Sequence, residues 1–142
     1  MKIDKIVGKV VRKNLNEMAS IENPFNSAII ELNERNISID NEVLLKTYGL
    51  LSVTLSKKNN YVTLTDFVVK ERNGGYGTRF MEDLTMIADK QRWTLVLTPD
   101  TAFGATSVAR LKRFYNRFGF KDNKGRNADF GTRESMIRRP VK

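Results

Sequence analysis

The run Arg72-Asn73-Gly74-Gly75-Tyr76-Gly77-Thr78 joins a β-patterned segment directly to a segment of helical period. Glycine there permits positive φ and removes the Cβ atoms that would hold a ligand away from the backbone. In the first turn of a helix the N–H groups lack intrahelical partners, and the helix dipole favours negative charge beside them. Strand, glycine turn and helix in this order therefore read either as a pyrophosphate cradle or as an ordinary turn. The surrounding pattern has to separate the two.

Upstream, Val7, Val10, Val11, Leu15 and Met18 recur at helical spacing, which predicts an amphipathic helix over residues 4–20. Asn23-Pro24 ends it, and Asn26 or Ser27 can cap a second short helix carrying Ile29, Ile30 and Leu32. Residues 42–69 read as β-structure. Leu51, Val53 and Leu55 alternate with serine and threonine, residues 57–60 make a polar hairpin turn, and the chain returns from Tyr61 to Val69. Beyond the glycine run, Phe80, Met81, Leu84, Ile87 and Ala88 give a helix to about Gln91. Residues 93–97 form a short buried strand stopped by Pro99. Val108, Leu111, Tyr115 and Phe118 make one face of another helix ended by Gly119, and a polar tail leads to a last strand near residues 135–137. With no repeat or linker, the whole of 1–142 reads as one domain. The order α-α-β-β-β-α-β-α-β predicts an α/β fold, a mixed twisted sheet flanked by helices, with the glycine turn at the carboxyl end of its strand where such sheets bind ligands.

The residue inventory narrows the chemistry. The 142 residues include no cysteine and no histidine, so a thiol nucleophile, thiolate or imidazole metal ligands and the commonest general base are all excluded. No metal site is expected. Acid–base work falls to Asp, Glu, Tyr, Lys, Ser or bound water. No apolar run reaches the length of a membrane span, and Met1-Lys2-Ile3-Asp4-Lys5 lacks the apolar core of a signal peptide, so the expected compartment is the cytoplasm. The net charge of +9 is concentrated: residues 110–142 carry eleven Lys and Arg against Asp122, Asp129 and Glu134, which is +8. A field of this kind attracts phosphates or acidic surfaces, or is merely a solvated basic face.

Two side chains stand out as chemical candidates. Tyr115 shares a helix face with Val108, Leu111 and Phe118, so its phenol points inward, where a hydroxyl normally seeks a partner. Under strict alternation Asp66 falls in phase with Val62, Leu64 and Val68 on an otherwise apolar face. A carboxylate there either marks a strand irregularity opening on a cleft or is buried and hard to ionise. Each position also has a structural reading, a core tyrosine and a carboxylate bonded to a bulged backbone.

The string Arg72-x-x-Gly75-x-Gly77 resembles the first signature of the GNAT acetyltransferases, Arg/Gln-x-x-Gly-x-Gly/Ala. Leu111-x-x-Phe114-Tyr115-x-x-x-Gly119-Phe120 is similar to their second, and the two lie in the family's order, one helix and one strand apart. The likeness spans about residues 50–120 and is closest to small single-domain members from bacteria and phages. It implies acetyl-CoA as the acyl donor. Main-chain N–H groups of Asn73, Gly74, Gly75, Tyr76, Gly77 and Thr78, following Arg72, would hold its pyrophosphate. Phe67, Val68 and Val69 would border the pantetheine arm, the two valines through main-chain groups. Tyr115 would give a proton to the departing thiolate; Asp66, from its own place on the strand, suits a base that takes one from the acceptor ammonium. Where the family often has asparagine this chain has Val108 beside Ser107, and Ser107 either supplies a hydrogen bond to the cofactor or caps the helix. A dinucleotide-binding fold is excluded, since no Gly-x-Gly-x-x-Gly is present.

The resulting expectation is an N-acetyltransferase acting by direct attack of an amine on the thioester. The acceptor is a protein amine or a small amine, and the +8 segment disfavours a lysine-rich peptide relative to an amine on an acidic protein or a nucleic acid. The alternative from another class is a nucleic-acid-associated binding module, or a nucleic-acid-modifying acyltransferase, on the same scaffold. There residues 110–142 would meet the phosphates, with Phe114, Phe118, Phe120 and Phe130 available for stacking.

Overall fold

The computed structural model of the chain describes residues 24–34, 37–39, 42–71, 74–101 and 107–141. The helix expected over 4–20 and two residues of the glycine run, Arg72 and Asn73, lie outside them. The chain gathers into two compact units, residues 1–31 and 32–142. Within the described part of the first, the Ile29 N–H donates to the Phe25 carbonyl at 2.8 Å, opening helix α1 (Asn26–Glu34) so that Phe25, ahead of the expected Asn26 or Ser27, holds the cap position.

The second unit continues through β1 (Ile37–Ile39), α2 (Glu42–Tyr48), β2 (Leu50–Lys58), β3 (Tyr61–Val69), α3 (Tyr76–Gln91), β4 (Thr94–Leu97), α4 (Val108–Asn116), β5 (Lys121–Asp122), a 3-10 turn (Gly125–Asn127) and β6 (Met136–Arg138). The strands form a six-stranded mixed sheet in the order β1-β2-β3-β4-β6-β5. Its one parallel pair among the described strands is β3–β4, and α3 is the crossover between them. Asn59, at φ 56°, supports the tight β2–β3 turn as asparagine readily does. Phe80, Met81, Leu84, Ile87 and Ala88 of α3 are buried, as are Val62 and Leu64 of β3, Trp93, and Leu95, Val96 and Leu97 of β4. The predicted helical stripe and the short buried strand thus share one core.

Three readings of the sequence are corrected. Residues 42–48 are helix, not strand: Leu44 and Tyr48, one turn apart, are both buried, and Gly49 at φ 62° terminates the helix as only glycine does without strain. The polar tail contains an additional strand, β5, whose Lys121 and Asp122 pair with Ile137 and Met136 of β6. The expected inward face of α4 is only partly covered: Tyr115 is buried, Leu111 and Phe118 are half-buried and Val108 is exposed. That face looks onto a cleft instead of closed core.

Candidate active site

The cleft originates in a disagreement between neighbouring strands. Parallel pairing of β3 with β4 runs from Tyr61↔Thr94 to Thr63↔Val96 and stops. On its other edge β3 is irregular against β2. The register passes from Thr54↔Thr65 to Ser52↔Val68, so Asp66 and Phe67 together face Val53. Asp66 takes a left-handed φ of 53°, which few non-glycine residues adopt. Ser52 Oγ donates to the Asp66 carbonyl at 2.5 Å and Thr54 Oγ1 donates to Asp66 Oδ2 at 3.2 Å, which fix the kink. The bulge turns the second half of β3 away from β4. A cavity of about 330 Å³ opens there, lined by residues 64–67, residues 97–100, Leu111 and Tyr115 of α4, and Glu134.

The bulge also corrects the strand phase. Val62 and Leu64 are buried as alternation requires, but the extra residue rotates Asp66 into an exposed position beside the cleft. A compensating extra residue on β2 leaves Leu51 61% exposed, although it was expected in phase with Val53 and Leu55. Of the alternatives for Asp66, the strand irregularity opening on a cleft is the one the backbone adopts.

At the far end of β3 the chain turns into α3. Gly75 precedes the helix at φ 77°, and a Cβ built there meets nothing within 4 Å. Glycine is therefore needed for the conformation, while the space beside it is open. The first intrahelical bond is Arg79 N–H to the Gly75 carbonyl at 3.1 Å, so the N–H groups of Tyr76, Gly77 and Thr78 precede the helical ladder. No side chain caps this end. The helix start is seated on β3 and α4: a Cβ on Gly77 would touch Phe114 and Val69 at 3.5 Å and Phe67 at 3.7 Å. Tyr76 lies under the turn, its ring 2.5 Å from where a Gly74 Cβ would be. The half-buried Phe67, Val68 and Val69 link the bulge to the glycine turn, and the Phe67 ring packs at 5.0 Å on Phe80.

Tyr115 closes the cleft from α4. It is 7% exposed, packs edge-on against Phe114 and Phe120 at 5.2 and 5.7 Å, and its hydroxyl has no hydrogen-bond partner among the described residues. Burial pushes its pKa up to about 12. The result is a phenol that keeps its proton at neutral pH and has no acceptor for it among the described residues. Ser107 caps α4, its Oγ accepting from the Arg110 N–H at 3.1 Å, and it does not line the cleft. Three lining residues, Thr98, Asp100 and Glu134, were not singled out by the sequence pattern. Asp100, just beyond the carboxyl end of β4, was in principle accessible through the rule that α/β sheets bind ligands at that end. Glu134 carried no local signal.

The four aromatics of the basic segment separate. Phe120 is buried, Phe114 and Phe118 are half-buried under the Arg117 guanidinium at 5.6 Å from each ring, and Phe130 is 94% exposed. Among the described residues no helix is long and apolar enough to cross a membrane.

No protein-family model matches the sequence, and no curated protein matches it significantly. Among solved structures, the anti-CRISPR protein AcrVA5 superposes with a TM-score of 0.49 at 17% identity, over 63% of this chain and 87% of its own. A candidate acetyltransferase of the GNAT family from Bacteroides thetaiotaomicron superposes with a TM-score of 0.43 at 22% identity, over 63% of this chain and 55% of that one. The chain itself has an α/β fold, a mixed sheet flanked by helices, and a GNAT-family protein is among its structural neighbours.

Proposed function

We propose that the chain is an acetyl-CoA-dependent N-acetyltransferase working in the cytoplasm. The observation that carries the reading is the parting of β3 from β4 beside a buried tyrosine hydroxyl without a described partner. Two local features fit the donor. The space beside Gly75 is open at a helix start whose N–H groups suit a pyrophosphate, and β3 beyond Thr63 has no strand paired on its β4 side among the described residues. Main-chain groups of Gly75, Tyr76, Gly77 and Thr78 would hold the phosphates, and those of Val68 and Val69 the pantetheine arm. Acetyl-CoA supplies an activated acetyl group on sulfur. The chain supplies proton handling: Tyr115 Oη holds a proton for the departing sulfur, and the Asp66 carboxylate accepts one from the acceptor ammonium. Without cysteine a thiol relay through the protein is impossible, so the amine attacks directly.

Thermal unfolding with acetyl-CoA tests the reading. At about a hundred times its dissociation constant the ligand stabilises the native state by ~2.7 kcal/mol. Gly75→Glu abolishes that shift, because it fills the open space and sets a negative charge at the helix start. An unmutated protein whose unfolding ignores acetyl-CoA would falsify the assignment.

A further inference from the structure

The cleft is opposite in charge to the chain that builds it. The protein has 25 Lys and Arg against 16 Asp and Glu, yet among the described residues the cleft is lined by Asp66, Asp100 and Glu134 and by no lysine or arginine. The three carboxylates come from the bulge of β3, the segment after β4 and the loop before β6. Among the described residues no three acidic side chains gather closely enough to hold one metal ion, so the negative charge is distributed along the walls. Among the described residues the Asp66 and Glu134 carboxylates receive only neutral hydroxyl donors, from Thr54 at 3.2 Å and Thr98 at 2.8 Å. No cation among the described residues neutralises either of them.

Glu134 is firmly held. Besides the bond from Thr98 Oγ1, its N–H donates to Thr132 Oγ1 at 3.2 Å and its carbonyl accepts from Asn123 Nδ2 at 3.2 Å. Thr98 Oγ1 accepts in turn from the Ser135 N–H at 3.1 Å. A carboxylate tied at one oxygen and set on a cleft wall is organised to receive a donor. Independently of the acids, Tyr115 presents a hydroxyl without a described partner to the same cleft from a position 93% buried, 7% of it remaining exposed. Between the polar groups the lining is apolar, with Leu64, Leu97, Pro99 and Leu111. Methylene groups suit these surfaces and ammonium groups suit the carboxylates.

We propose that the acceptor is an aliphatic polyamine-type cation, a primary amine carrying at least one further ammonium group on a methylene chain, and that Glu134 is the specificity-determining contact for a second charge. The inference rests on the acetyltransferase reading and names its acceptor. The two carboxylates without a described cation, Asp66 and Glu134, exceed what a single ammonium requires. In the reaction the neutral amine nitrogen forms a bond to the acetyl carbon and the carbon–sulfur bond breaks. Asp66 has taken the proton that freed this amine, the thiolate takes the Tyr115 proton, the acylated nitrogen returns its surplus proton to the Tyr115 phenolate, and the remaining ammonium is unchanged.

The test is coenzyme A thiol release at saturating acetyl-CoA with 1,4-diaminobutane and spermidine, against n-butylamine and a neutral lysine peptide. The expected kcat/KM for the two polycations exceeds that for n-butylamine by roughly tenfold or more. Glu134→Gln keeps an acceptor for Thr98 and so retains the fold. It is expected to raise the KM for 1,4-diaminobutane about tenfold, while the KM values for n-butylamine and acetyl-CoA stay unchanged. A merely structural Glu134 would alter all three together, which overturns its role. Transfer to n-butylamine or the peptide as efficient as to the diamines overturns the polyamine assignment and leaves the acetyltransferase standing. Failure of acetyl-CoA to shift thermal unfolding overturns both.

Discussion

At the scale of single residues, Tyr115 carries the most direct test of the proposed chemistry. Burial raises its pKa from the ordinary 10.0 to about 12. The folded state therefore retains a proton that the unfolded chain loses first. The sign follows: the tyrosine's contribution to stability is complete below pH 10 and disappears between pH 10 and pH 12. Tyr115→Phe keeps the ring and its contacts with Phe114 and Phe120, so the fold persists, and the alkaline loss of stability becomes shallower over that window. Acetyl transfer is expected to fall roughly ten- to a thousandfold, read as kcat at saturating acetyl-CoA. Unchanged kcat would return Tyr115 to a packing role. Its inward orientation was legible from helical phase alone. Asp66 was not legible in the same way, because alternation counts residues and a bulge adds one; only the backbone shows that Asp66 adopts positive φ and faces out.

At the scale of elements, local signals succeeded where the period was long and failed where segments were short. Helix α3 follows its apolar stripe, whereas seven residues of α2 inside a β-rich stretch gave period analysis too little to work with. The informative signal there was Gly49 as a helix stop. Edge strands of two and three residues, β5 and β1, have no periodicity to read. They exist because β6 and β2 need partners. One long-range device holds this side of the sheet. Arg138 of β6, almost fully buried, makes two bonds to the Asp89 carboxylate of α3 at 2.9 and 3.2 Å and donates to the Phe118 carbonyl at 2.7 Å. The Arg138 hydrogen bond holds the Asp89 carboxyl below its ordinary range. The contribution is therefore present above the ordinary carboxylate range and lost as pH falls through the lowered value. Arg138→Met is expected to lower the urea midpoint at pH 7 by the equivalent of about 3 kcal/mol. The deficit should shrink in acid, where the wild type has lost the same interaction. A midpoint deficit independent of pH would show that packing, not the ion pair, is what Arg138 contributes.

At the scale of the whole molecule, net charge was legible and its local arrangement was not. The +8 of residues 110–142 can be counted, but Asp66, Asp100 and Glu134 stand far apart in sequence and meet only because the sheet order places β3, β4 and β6 side by side. The outer surface and the cleft are thus expected to recognise different things. Lys124, Arg126 and Arg133 are exposed on the loop that also carries Phe130, and the loop is braced. Asn123 bonds the Asp129 N–H at 2.7 Å, and Tyr61 bonds the Asp129 carboxylate at 2.8 and 2.9 Å. A braced basic loop with a projecting aromatic is expected to bind single-stranded oligonucleotides weakly at low salt. The affinity should fall with a log–log slope of about −0.7 for each phosphate neutralised. Arg126→Ala and Arg133→Ala should each make the slope less negative by about that amount. Phe130→Ala should leave the slope intact and weaken binding by roughly five- to a hundredfold, as loss of one stacked base does. Fluorescence anisotropy of a labelled oligonucleotide across a salt series separates the two effects. No binding even at low salt would make the basic segment a solvated face, and a loss on Phe130→Ala that altered only the slope would remove stacking from the account.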